Sequence, residues 1–228
     1  DFKAVGWKPT KEGGGKQTRS LKVEDKDGDE YSIRSVKKFP EKAIPDEMKH
    51  TIFEKIVMDG LSASYPYGAL SMTPFSIAAH VPYFKQQLVF VGDDPSLGKF
   101  QSKFKNMLGL VQDETPLNTT AIKDHDGKIK TYDTDELVYE LQQSNKNRVN
   151  QTEVLRARLL DNFVMGFDRH DKQWKWVQTD SGDRNIFVAV PKDHDQVFFT
   201  NQGIIPKIVK GSLPELQGFR AKTRNPIT

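Results

Sequence analysis

The sequence contains no cysteine in 228 residues, so no disulfide can tie distant parts of the chain together. Thiolate-bound metals and a cysteine nucleophile are excluded for the same reason, and apolar side chains have to supply the core. Hydrophobic residues make up 36% of the chain against 29% charged. That balance is polar for a globular protein, yet it keeps enough Leu, Ile, Val and Phe for a core and argues against disorder of the whole chain. The length fits one domain or two tightly apposed lobes. A thiol-free chain suits the cytosol and a bacterial envelope equally. It begins at Asp1 with neither an initiator Met nor a signal-peptide pattern, which suggests a mature chain or an excised domain.

The net charge of +3 arises from 34 basic and 31 acidic residues, with the two signs mixed along the chain. No one-sided basic stripe marks a nucleic-acid binder, and no apolar run approaches the ~18 residues that span a bilayer. A nucleic-acid partner and a membrane segment in this chain are therefore not expected.

Residues 1–113 read as strands, turns and one long helix. A short strand is expected over 4–8, followed by Gly13, Gly14 and Gly15. Leu21 and Val23 then share a face in an alternating run over 18–24. Asp25 to Asp29 supplies a hairpin turn, and 30–36 returns as a strand. Met48, Ile52, Phe53, Ile56 and Val57 recur at helical spacing after Pro45 and Asp46. Strands follow at 87–91 and 106–111. Gln112, Asp113, Glu114, Thr115 and Pro116 read as a connector, with a lobe boundary after Asp113.

Residues 114–228 open on a small hairpin turning at His125, Asp126 and Gly127. Helices are expected over 134–143 and 151–164. The second has Val154, Leu155, Leu159, Leu160 and Phe163 on one stripe and Asn150 or Thr152 as its cap. Strands 174–179 and 185–190 form a hairpin. The fold class is α+β: a strand-rich half followed by a more helical half carrying this hairpin.

Two acidic clusters flank that hairpin. Asp168, Arg169 and His170 precede it, and Asp193, His194 and Asp195 follow it. Separated by one hairpin, the clusters can converge at one rim. Phosphoryl transfer needs such a pair: one carboxylate positions the acceptor hydroxyl, another holds Mg²⁺ against the phosphates. The second triplet has a bland twin at Asp124, His125 and Asp126, an ordinary turn; Val197, Phe198 and Phe199 behind Asp195 favour the second copy. The histidines lack metal-ligand spacing, and no Gly-x-Ser-x-Gly elbow is present. Trp174 and Trp176 read as core or rim packing.

The Asp-Arg-His triplet, with a polar residue five positions after the Asp, resembles the catalytic loop of lipid-kinase-like and atypical kinases, including the secretory-pathway casein kinases. The later Asp-x-Asp before aromatics resembles the metal segment of the spore-coat kinase (CotH-like) family. The pattern is also similar to uncharacterised Bacteroidetes envelope proteins, and from resemblance alone a bacterial periplasm or cell envelope is suspected. The resemblance implies a two-lobed kinase-like fold binding ATP and Mg²⁺ and transferring a γ-phosphoryl group to a protein or small-molecule hydroxyl. Asp168 would be the catalytic base and His170 would orient its loop. Asp195 would hold Mg²⁺, with Asp193 as second choice, and Gln173 stands where a metal-ligating Asn is usual. Tyr31-Ser32-Ile33-Arg34 resembles the Val-Ala-Ile-Lys of a kinase third strand, so Arg34 would cradle the phosphates, with Lys37 as the alternative. Gly13, Gly14 and Gly15 would cover the phosphates. Asp59 would pair with Arg34, and the backbone at Gln112 and Asp113 would meet the adenine. Two other readings stay open: a degenerate relative that binds nucleotide or nothing, and an envelope domain that binds a glycan or protein through exposed Trp174 and Trp176.

Overall fold

The computed structural model describes residues 2–14, 18–39, 51, 54, 65–166 and 169–199. Alternation builds the first sheet. Strands β1 (Lys8–Gly13), β2 (Ser20–Glu24), β3 (Glu30–Ser35), β4 (Tyr83–Val91) and β5 (Met107–Leu117) form an antiparallel sheet in the order β1-β2-β3-β5-β4. Side chains two apart share a face. Leu21, Val23, Ile33 and Val111 turn one way, onto a core closed by Phe2, Leu97, Phe100 and Phe104. Ser32, Arg34 and Gln112 turn the other way. Phe2 belongs to a short helix α1 (Phe2–Val5), which occupies part of the expected first strand. That strand starts instead at Lys8 and runs into the glycines.

The chain from β3 to β4 contains α2 (Gly68–Ala78), a helix with no counterpart in the sequence reading because Pro74 interrupts its pattern. The expected helix at 45–57, and Asp59 beyond it, lie outside the described residues except for Thr51 and Glu54. A short helix α3 (Gln101–Phe104) precedes β5. Residues 112–116 are strand rather than connector: β5 runs unbroken to Leu117, across the position expected for a boundary. Hydrogen-bonding partners on both flanks (Ser32 and Gln86 beside Gln112) extend it beyond its apolar stretch.

The second sheet is β6 (Thr131–Tyr132), β7 (Asn147–Val149), β8 (Trp174–Ser181) and β9 (Arg184–Pro191), in the order β6-β8-β9-β7. β8 and β9 are the expected hairpin. Helices α4 (Thr134–Gln143) and α5 (Gln151–Phe163) pack with α2 over Trp174, Trp176, Phe187 and Ala189. Asp133 and Glu136 cap α4 reciprocally, and Asn150 caps α5. On the other side of the sheet, Val177, Val188 and Val190 meet Phe84 of β4. Each such side chain contributes roughly 1.5–3 kcal/mol when fully buried. These contacts bring the end of β9 beneath the Arg34 face of the first sheet.

The stripe expected on α5 is turned. Leu155, Leu159 and Phe163 are exposed, whereas Ala157, Leu160 and Asp161 are buried. The helix turns Asp161 inward because a buried arginine needs its carboxylate. Among the described residues, no helix is long and apolar enough to cross a membrane.

Candidate functional site

Arg34 starts the site. It follows Ile33 of the core by one position, so the pleat sends its side chain to the opposite face. Its row across the sheet is Gly13, Ser20, Arg34, Leu110 and Leu88, so the glycine connection leaves the sheet level with the guanidinium. Gly14 has φ +125°, and a Cβ there would lie 2.5 Å from the Thr18 carbonyl oxygen. Only glycine accepts that turn. Gly15 lies outside the described residues.

The chain leaving β9 at Pro191 supplies the anions. Arg34 meets Asp193 at 2.6 Å, and Lys38 meets Asp195 at 3.2 Å. These four side chains line one cleft together with Thr18, Gln86 and Gln112. Burial opposes the Arg34 charge, but the Asp193 carboxylate more than offsets it and raises the guanidinium pKa. Burial would lift Asp193 as well, and Arg34 holds it below the usual carboxylate value. Asp195 moves the other way: burial and the neighbouring Asp193 charge raise it despite Lys38. Lys192 is lowered by burial, against the attraction of Glu114. Asp193 adopts φ +63°, a left-handed conformation that costs a non-glycine residue about 1–3 kcal/mol unless its surroundings impose it.

Arg169 imposes much of that order. Its Nε and one terminal nitrogen donate to the two Asp161 oxygens at 2.9 and 2.8 Å. The other terminal nitrogen donates to the Gln173 carbonyl at 2.9 Å and to the Lys192 carbonyl. The remaining contact is to His194 Nδ1 at 3.3 Å. All the guanidinium donors are thereby engaged, one of them on the residue preceding Asp193 and another on the residue following it. Arg169 and Asp161 side chains are only 4% and 2% exposed. Burial, then the Arg169 charge, pushes His194 down to about 4 against the pull of Asp161 and Asp193. The Pro191 carbonyl also favours its charged form but makes no hydrogen bond with Nε2.

Other expected site residues lie elsewhere. Gln173 is buried beside Arg169, Asp193 and His194. His170 is exposed, outside the residues lining the cleft, and its Nδ1 caps the turn Asp171–Gln173. Gln112 faces the cleft through its side chain, which accepts from Gln86 at 3.0 Å. Asp113 points to the opposite face, into a cavity with Trp7 and Tyr31, because adjacent strand residues alternate. Lys37 is exposed and reaches the Phe39 ring. Asp168 and Asp59 fall outside the described residues. Trp174 and Trp176 are buried, 9% and 7% exposed, so they form no exposed aromatic patch.

Sequence reasoning missed Lys38, Arg169 as a hub, and Asp161. Arg34, Val36 and Lys38 continue the period of two, since the Val36 N–H still donates to the Leu108 carbonyl. Asp161 sits among Ala157, Leu160 and Val164, where an acid on an apolar helix face implies a buried cation. Among the described residues, no group of three His, Cys, Asp or Glu side chains is placed to hold a metal by itself.

No family model matches the chain, and no curated protein matches it. Among solved structures it is similar to a Helicobacter pylori proinflammatory kinase, CtkA, at 14% identity and a TM-score of 0.42, over 95% of this chain and 67% of that one.

Proposed function

We propose that the cleft binds a magnesium-bound nucleoside triphosphate and moves its γ-phosphoryl group to a hydroxyl acceptor, within a two-lobed kinase-like arrangement. The observation that carries the reading is the meeting of Arg34 and Lys38 with Asp193 and Asp195 in one cleft. Cations there match phosphate oxygens, and two carboxylates match what Mg²⁺ accepts beside phosphates and water. When bound, the ion neutralises charge on the phosphates.

In this reading Arg34 and Lys38 exchange their carboxylate partners for phosphate oxygens when nucleotide enters. Asp195 and Asp193 would then hold the metal, with Gln173 as a further oxygen donor. Thr18 and the glycine connection close over the phosphates. Asp168 would orient the acceptor hydroxyl and take its proton as the new O–P bond forms and the bond from the γ-phosphorus to the nucleoside diphosphate breaks. Arg169 holds the loop that carries both clusters.

Calorimetry with Mg-ATP tests binding, and transfer of labelled γ-phosphate tests chemistry. Saturable binding that needs Mg²⁺, with transfer lost in Asp168→Ala and retained in Glu54→Ala, is the expected result. No binding at millimolar Mg-ATP removes the reading. Binding without transfer to any acceptor reduces it to a nucleotide-binding module.

A further inference from the structure

Helix α2 reaches the acidic segment at two points. A Cβ on Gly68 would come within 2.8 Å of Val197 Cγ2, so the start of the helix lies against that segment. The Phe75 ring centroid is 5.7 Å from that of Phe198. Beside Phe75, Ser76 is fully buried, and its Oγ has no hydrogen-bond partner. His194 Nε2 is also buried and unpartnered. Both residues line one void, shared with Gln86 and Gln112, with about 10 Å³ of space for the centre of a water-sized sphere.

An unsatisfied buried polar group costs about 1–3 kcal/mol, and folded proteins carry few of them. Two on residues that border one small void point to a common partner. The space matches roughly one water, which needs 2–4 polar neighbours to stay; the Gln86 and Gln112 amides border the same space. The tautomer follows from Arg169. A guanidinium can only donate, so His194 Nδ1 accepts from it and the ring proton sits on Nε2.

We propose that an internal water joins Ser76 Oγ to His194 Nε2, making Ser76 and His194 positioning residues that fix the Asp193–Asp195 turn against α2. His194 accepts from Arg169 on one ring nitrogen and donates to the water with the other. The turn is then held from below by Arg169 and from the side by α2. This supplies the over-determination that left-handed Asp193 requires. The water site stands on the described geometry alone; its consequence for nucleotide rests on the reading of the cleft given above.

A crystal structure of the full chain that resolves ordered waters, with ¹⁵N NMR of the His194 ring, tests it. The expected result is one water within hydrogen-bonding distance of both atoms and an Nε2–H tautomer. A dry void, an Nδ1–H tautomer, or Nε2–H donating to the Pro191 carbonyl overturns the proposal. Ser76→Val displaces the water, with Ser76→Ala as the milder variant should the first not fold. Mg-ATP affinity is expected to fall roughly fivefold, the effect of one lost hydrogen bond. Amide shifts of Asp193 and Asp195 should move in the same variants, and this readout does not depend on nucleotide. If those shifts stay in place, Ser76 does not position the turn; if they move and wild type binds no Mg-ATP, the nucleotide reading fails while the positioning role stands.

Discussion

Arg169 and Arg34 each hold a carboxylate at hydrogen-bonding distance, 2.8 Å in one case and 2.6 Å in the other, but water reaches only one of the pairs. Arg169 and Asp161 are sealed at 4% and 2% side-chain exposure, whereas Arg34 and Asp193 stand at 35% and 24%. A sealed pair cannot exchange partners, because the Arg169 guanidinium left alone in the interior is costly, although Asp161 also meets the more exposed Arg158 at 3.0 Å. A half-open pair can, since water screens the intermediate and the net gain from such a contact is small. One arginine is therefore suited to building the loop and the other to receiving a ligand.

The largest test of that contrast is Asp161→Ala. Leaving Arg169 buried without its carboxylate should lower stability by about 3–5 kcal/mol in urea denaturation, while Arg34→Ala should change it by less than about 1 kcal/mol. Equal losses would erase the distinction between the two pairs. Acid should act next, through His194. Its folded pKa of about 4 lies below the unfolded value of 6.5, so the folded state disfavours its protonation. That contribution is present above pH 6.5 and is lost as pH falls toward 4, by about 3 kcal/mol. His194→Gln should flatten that part of the stability profile; an unchanged slope between pH 6.5 and 4 would place its origin elsewhere.

At the cleft the expected effects are on ligand affinity. Arg34→Ala should weaken Mg-ATP binding by roughly tenfold or more, as removal of one strong charge-assisted contact does, and calorimetry reads this directly. The smallest expected effect is on the outer face of α5. Leu159→Lys should shift stability by no more than about 0.5 kcal/mol, as an exposed position does. A loss of several kcal/mol in the thermal or urea midpoint would mean that this side chain is covered in solution.

The α5 comparison also explains how much of the fold was legible. Alternation placed β2, β3 and the β8–β9 hairpin close to where they lie, because strand period and turn residues are local signals. Helices α4 and α5 were legible in extent, since Asp133 and Asn150 cap them. The inward face of α5 was not: apolar residues occupy both sides, and what decides the rotation is a long-range partner, Arg169. Helix α2 was hidden by Pro74. In the site, Arg34 could be assigned to a face by counting from Ile33, and its proximity to Asp193 follows from the packing of β4 against β9. Lys38 lay within reach of the same counting, two steps further on. Asp161 and Ser76 were not legible as site residues, because their meaning depends on what faces them across the interior.

Soaking Mg-ATP into crystals of the full chain tests the central claim most directly. The account predicts triphosphate density between Arg34 and Asp195, with the Arg34–Asp193 contact broken and the Arg169–Asp161 contact intact. Nucleotide seated elsewhere, or an empty cleft with the Arg34–Asp193 pair still closed at millimolar Mg-ATP, would contradict it.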